Sequence, residues 1–254
     1  VAVKQVPDLV EELELAPEGT DVDREFVRSV VSEFDEHALE EALLLKEGAG
    51  GEVTVVGFEE PDVDQTFFTA LAKGADRAVK LTGLGGGWLP TPVRAAALAH
   101  WLEGQDFDLV LTGVQAVDDL EGQVAPALGS LLGLPHVSVV VGVEVVEGGR
   151  AVVTQEFGGG RATRLDVRLP AVLGIQAARQ VPRYVSISRI RQAQQEGRIE
   201  EVAVRPPEPR VAGPRVRRLF APEKGGGAEM LEGSATEVAR RIVDLLRSKG
   251  LVKG

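Results

Sequence analysis

The chain has 254 residues, 44% of them hydrophobic, which suffices for one large α/β domain or a domain with an appendage. Its 39 Asp and Glu outnumber 28 Lys and Arg, and a net charge of -11 opposes a phosphate polymer at long range, so a nucleic-acid partner is not expected. The absence of cysteine removes disulfides and thiolate nucleophiles, and the three histidines, at 37, 100 and 136, are too isolated for a zinc site.

No apolar run reaches the roughly 18 residues that a membrane span needs. The opening VAVKQVPD reads as a strand rather than a leader, so a cytoplasmic protein is expected. In chain order, residues 1–6 are a β-branched run closed by Pro7 and Asp8, which predicts a first strand with a turn behind it. Lys4, near the carboxyl end of that run, is either a cation aimed at the sheet edge or an ordinary edge lysine. Residues 9–31 are acidic and irregular, with a hairpin expected around 17–23.

A helix follows. Ser32 or Asp35 can cap it, Ala38, Leu39, Ala42, Leu43 and Leu45 build its buried face, and Gly48, Gly50 and Gly51 end it. Phe34, at its start, reads first as a hydrophobic staple. EVTVVGF at 52–58 predicts a strand, the next stretch a helix stopped at Gly74, and 77–81 another strand. Strand, helix and strand without hairpin signals imply parallel pairing with right-handed crossovers. GLGGGW at 83–88 lacks the GK[ST] of a phosphate loop and reads as a connection. Thr91 is expected to cap a helix with Pro92 in its first turn, ending at Trp101 or Leu102.

Residues 108–135, DLVLTGVQAVDDLEGQVAPALGSLLGLP, are the candidate site. Leu109, Val110 and Leu111 form a short run with the character of a strand buried on both faces. The loop behind it leads into a helix whose buried face is predicted to be Val124, Ala127, Leu128, Leu131 and Leu132, stopped by Gly133 and Pro135. In open parallel sheets ligands sit at such strand ends, where helix N-termini present free N–H groups. Asp118, Asp119 and Glu121 would repel a triphosphate but can accept ribose hydroxyls, and no Lys or Arg lies between 108 and 136.

Beyond the site the pattern changes. Residues 137–146 and 151–157 flank the turn Glu147-Gly148-Gly149, residues 161–169 add a third extended run, and apolar PAVLGI follows. From 179 the chain is basic and carries prolines at 206, 207, 209 and 214. Such a segment does not form a compact helix or central strand. Ser234 and Glu237 make a capping box for a last helix with Val238, Ile242, Leu245 and Leu246 on one stripe and Gly250 behind it. A short helix past an arm needs a surface for that stripe, so a partner subunit is expected.

Six segments in this order resemble the beta subunit of electron transfer flavoprotein: VAVKQVPD, FDEHALEEALLLKE, ALAKGADRAV, TGVQAVDDLEGQV, RLPAVLGI and PRYVSISRI. The resemblance spans nearly the whole chain. It implies an α/β fold of the adenine-nucleotide-binding type, which with the pattern read above makes a mostly parallel, Rossmann-like sheet with an added antiparallel hairpin and an extended C-terminal arm ending in a helix. The corresponding division is a nucleotide-binding domain over 1–190 and an arm over 191–254 that packs on the partner.

The resemblance also implies a function: a carrier without substrate turnover, paired with an alpha subunit that holds most of the FAD. It would take electrons from acyl-CoA-type dehydrogenases of fatty acid oxidation and pass them to a quinone-linked oxidoreductase. An AMP would lie in this chain. By position, its contacts fall on Ala2, Ser32, Glu33, Phe34, Asp35 and Phe58, and on Asp118, Asp119, Leu120, Glu121, Gly122, Gln123, Val124, Ala125, Pro126, Ala127, Leu128 and Gly129. Phe34 would lie near the flavin, and Tyr184, Val185, Ser186, Ile187, Ser188, Arg189 and Ile190 would form the loop that recognises partner dehydrogenases. LEGQVAP and Gln155 depart from the AMP-binding pattern, and Val124-Ala125-Pro126 leans toward electron-bifurcating members that hold a second FAD. A free-standing adenine-nucleotide sensor or hydrolase is the third reading.

Overall fold

The computed structural model describes residues 1–10, 12–23, 27–85, 89–119, 122–205, 213–221 and 227–252. The chain divides into two compact units, Val1–Arg218 and Leu219–Gly254. The expected division at 190 is met by a later one. The reason is β10 (Ile199–Ala203), which lies in register beside β4 (Arg77–Thr82) as a parallel strand. Residues 199–203 are therefore a strand of the first unit's sheet. Pro206, Pro207 and Pro209 of the expected arm lie outside the described residues.

Two sets of strands make the sheet. One has the order β10, β4, β3 (Thr54–Phe58), all parallel. The other has the order β5 (Leu109–Gly113), β9 (Ala171–Ile175), β6 (His136–Val146), β7 (Arg150–Phe157), β8 (Arg161–Arg168). Here β5, β9 and β6 are parallel, and β6, β7 and β8 form the antiparallel addition expected from the turn at Glu147-Gly148-Gly149. Residues 1–3 join the two sets. Val3 N donates to Val56 O and Val56 N to Val1 O on one side, while Ala2 N donates to Leu111 O on the other. The predicted first strand thus stops at Lys4, whose N–H goes to the Asp35 carboxylate instead of a neighbouring strand. Beyond it, β1 (Gln5–Pro7) pairs antiparallel with β2 (Ser29–Val31) in a separate ribbon. The expected small hairpin is present, with Leu15 bridging Val22.

Strand alternation explains why both faces are covered. Val55, Ala78, Leu111 and Leu173 point into a core with Ala38, Leu39 and Leu43 of α1 (Glu33–Ala49) and Phe67 and Ala70 of α2 (Val63–Lys73). Their neighbours Val56, Val79, Val110 and Val172 point into a second core with Leu98 and Leu102 of α3 (Thr91–Leu102) and Ala125 and Leu128 of α4 (Val124–Leu132). On α4 the buried positions are Ala125, Leu128 and Gly129, whereas Leu131 is exposed. The predicted stripe is rotated because small residues let the helix approach the sheet closely. A Cβ on Gly129 would stand 2.6 Å from that of His136. At α3, Pro90 occupies the cap position expected for Thr91.

α5 (Ile187–Glu196) packs against α2. In the second unit, α6 (Ala235–Ser248) carries the predicted capping box between Ser234 and Glu237, and none of its residues is buried. Among the described residues no helix is long and apolar enough to cross a membrane.

Candidate functional site

Strand order reverses at residues 1–3: β3 and β4 lie on one side, β5 and the strands after it on the other. In doubly wound sheets such a switch point opens a crevice at the carboxyl ends of the strands. A cleft lies there, lined by Ala2, Val3 and Lys4, by Val56, Gly57 and Phe58 of β3, and by Thr112 and Gly113 of β5. The loop residues Val114, Gln115, Ala116 and Asp119 and the helical residues Asp35, Arg94, Leu98 and Val124 complete it.

Its floor is fixed by Asp35, in the first turn of α1. One carboxylate oxygen accepts from Lys4 N at 2.9 Å and the other from Gly113 N at 2.8 Å, so one side chain ties the end of the joining segment to the end of β5. Burial pushes the Asp35 pKa up to about 7, with the two N–H bonds and the nearby Lys4 and Arg94 charges opposing the rise. Ser32 occupies the N-cap position of α1 without a side-chain cap bond. Phe34 is half-buried beside Gly113, where a Cβ on the glycine would stand 2.8 Å from its own. The β5 end must therefore be glycine to let α1 start so close.

Two cations that no reading of 108–135 contains enter from elsewhere. Lys4 Nζ lies 2.5 Å from Asp118 Oδ1, with both side chains mostly shielded from solvent. Arg94 sits over the Phe58 ring, 5.1 Å from its centroid, and its guanidinium donates to Glu60 at 3.1 Å. Lys4 at the sheet edge was one of the two alternatives left open by sequence. Arg94 was missed, although an arginine within the apolar run VRAAALA is the kind of signal that marks a buried functional cation. Thr91, the expected cap, is buried and donates its hydroxyl to Asp119 at 3.0 Å. The acidic loop is thus pinned at two successive aspartates to two different elements.

Of the residues expected at the site, Ala2, Asp35, Phe58, Asp119 and Val124 line this cleft. Asp118 is tied to it through Lys4. Gly122, with a positive φ of 58°, precedes α4, and a Cβ there would stand 3.2 Å from that of Gln115. Gln123 is the N-cap, Pro126 falls in the first turn, and Ala125, Leu128 and Gly129 face the sheet rather than the cleft lining. Ala127 is half-buried, and Glu33 is exposed. Leu120 and Glu121 lie outside the described residues.

Residues 184–190, expected from the resemblance to recognise a partner, are half loop and half helix. Tyr184 is exposed, Val185 is buried, and Ser186 caps α5, which begins at Ile187 and carries Ser188, Arg189 and Ile190 in its first turns. The expectation of a loop over 184–190 is corrected by that cap: the Ser186 hydroxyl accepts from Arg189 N, which starts a helix.

Chemically, the cleft offers an apolar wall, the cations Lys4 and Arg94, the Asp119 carboxylate on its loop, and the N-terminus of α4 at Val124. Residues 20–207 match the family described as Electron transfer flavoprotein domain. Electron transfer flavoprotein subunit beta of Methylophilus methylotrophus is 34% identical over 97% of this chain and 96% of its own length. The subunit of that name from Clostridium acetobutylicum is 35% identical over 75% of this chain and 72% of its own. Caffeyl-CoA reductase-Etf complex subunit CarD of Acetobacterium woodii is 32% identical over 99% and 98%. The chain belongs to the electron transfer flavoprotein beta subunit family.

Proposed function

We propose that the chain is the beta subunit of a heterodimeric electron carrier, with AMP in the strand-end cleft and FAD held mainly by an alpha subunit. The flavin supplies the redox chemistry when bound. This chain's part is to bind, position and dock, and it turns over no substrate. Supporting the reading most directly is the cleft at the sheet's switch point, where Lys4 and Arg94 stand against an apolar wall ended by Phe58. A monophosphate is matched there by one or two cations and the N–H groups of α4. Asp119, held by Thr91, is placed to accept a ribose hydroxyl.

Electrons would come from dehydrogenases of the acyl-CoA type and leave toward a quinone-linked oxidoreductase. Tyr184 and Ile187 would meet the donor, and Phe34, beside Gly113, would lie near the flavin. A second reading puts another FAD in the cleft. It is favoured by the two cations, which suit a diphosphate, and by Val124-Ala125-Pro126 at the start of α4. The test is to co-express the chain with its alpha subunit, denature the purified complex and quantify what is released. One FAD and one AMP per heterodimer support the carrier; two FAD and no AMP replace it with the second reading. A lone, stable chain that hydrolyses ATP would overturn both.

A further inference from the structure

The segment between β9 and α5 has no regular structure, yet it is fastened to α1 at Ala178, Arg179 and Arg183. Ala178 N donates to His37 Nδ1 at 3.2 Å, and Arg179 donates its backbone N–H and its Nε to the two oxygens of Glu41 at 2.9 and 2.8 Å. Arg183 repeats the arrangement one helical neighbour away. Its backbone N–H, Nε and Nη2 reach Glu40 at 2.9 to 3.0 Å, while Nη1 and the shared Nη2 reach Glu47. Glu40 and Glu41 are buried, Glu41 completely, and Glu41 also accepts from Val143 N of β6. The Arg183 guanidinium is held above its ordinary pKa by Glu47 and Glu40.

Buried carboxylates held this way are costly unless every oxygen is satisfied. Replacing two arginine clamps with apolar packing would suit mere stability as well or better. The segment's side chains show what the clamps achieve. Val181 is 86% exposed, Tyr184 87% and Ile187 63%, so three large apolar groups stand in solvent along a stretch whose backbone is fixed beneath them. Tyr184 sits between the clamped Arg183 and the buried Val185, so its backbone is held on both sides.

We infer that the Glu40–Arg183–Glu47 and Glu41–Arg179 pairs are a positioning mount that presents Val181, Tyr184 and Ile187 to the electron donor. The inference rests on the docking role proposed above for residues 184–190. A rigid mount removes the ordering cost that a loose loop meets on association. The mount shares its helix with the cleft: Glu40 lies only five residues beyond Asp35, which fixes the cleft floor, about 8 Å along the axis.

The test uses the full heterodimer with an acyl-CoA-type dehydrogenase as donor. Arg183→Lys keeps the charge but loses the fork that grips two carboxylates. Its expected effect is an apparent KM for the dehydrogenase raised about threefold to tenfold, with kcat and bound flavin per heterodimer retained. Glu47→Gln, at an exposed position, weakens only the outer grip and is expected to raise the same KM by less. An unchanged KM in Arg183→Lys overturns the mount, as does a parallel fall of kcat, flavin content and melting temperature, which marks a purely structural role. Should Arg183→Lys fail to assemble, Glu47→Gln decides alone, and an unchanged KM there overturns the inference. Tyr184→Ala separates the layers: if it leaves the KM alone, the docking reading is wrong; if it raises the KM while Arg183→Lys does not, only the mount is.

Discussion

Lys4 and Asp118, 114 positions apart, meet at 2.5 Å at the mouth of the cleft. The pair fastens the acidic loop to the segment that joins the two halves of the sheet, and a shielded contact of this kind keeps more of its strength than a surface pair. Lys4→Met retains the stem and removes the charge. The expected result is a Kd for AMP raised about tenfold, the loss of one charge-assisted contact of ~1.5 kcal/mol. Calorimetric titration of the nucleotide-free heterodimer measures it. An unchanged Kd would remove Lys4 from the site.

Gly113 tests how closely α1 must approach β5. A Cβ there would stand 2.5 Å from Asp35 Oδ1 and 2.8 Å from the Phe34 Cβ. Gly113→Ala is expected to cost ~1–3 kcal/mol by overpacking, lowering the melting temperature and nucleotide affinity together. Gly48, on the same helix, has open space around it, and Gly48→Ala should leave both unchanged or raise stability slightly. Equal melting temperatures for the two variants would contradict the close approach.

Asp35 makes stability depend on pH in a direction opposite to ordinary paired carboxylates. Its folded-state pKa is about 7 against an ordinary 3.8, so between those values the folded chain keeps a proton that the unfolded chain has released. The contribution is fully present below the unfolded value and is lost as pH rises through the folded one. Asp35→Asn removes this dependence. Denaturant unfolding at pH 5 and pH 8 should show wild type losing ground to the variant at the higher pH. A constant difference would show that Asp35 is ionised throughout.

Arg189 and Arg191 are exposed on α5 beside Ile187, cations on a chain of net charge -11. They suit a donor surface with an acidic rim around an apolar pocket, where rim charges act on the association rate more than on the final contact. Arg189→Glu combined with Arg191→Glu should slow electron transfer from the dehydrogenase at low ionic strength and flatten its salt dependence. Stopped-flow flavin reduction at two salt concentrations reads both. An unaltered salt dependence would move the docking face elsewhere.

What could be read from the residues followed from local periodicity. The run VTVVGF carries Val55 and Val56 to opposite cores, and Glu147-Gly148-Gly149 announces the β6–β7 turn. Leu131 misled because spacing alone permits two faces on α4, and the true one is marked by small residues, Ala125 and Gly129, rather than by the greasiest. The cleft's place was legible from the loop after β5, but its cations were not. Lys4 and Arg94 arrive on other elements, and periodicity carries no information about which distant strands become neighbours. The same limit hid β10 inside the sheet and residues 1–3 at its centre.

That central segment has a bearing on assembly. Three residues must find both Val56 and Leu111, more than fifty and more than a hundred positions along the chain, before the two halves of the sheet become one. Contacts so far apart in sequence carry a large loop-closure cost and form slowly. The helices already span the two halves, since α1 packs on β5, β9 and β6 and its core joins Val55 of β3 to Leu111 of β5. Inserting residues 1–3 would then be a late, zippering event, and the same event completes the wall of the cleft. Nucleotide present during refolding would favour the zipped form by mass action.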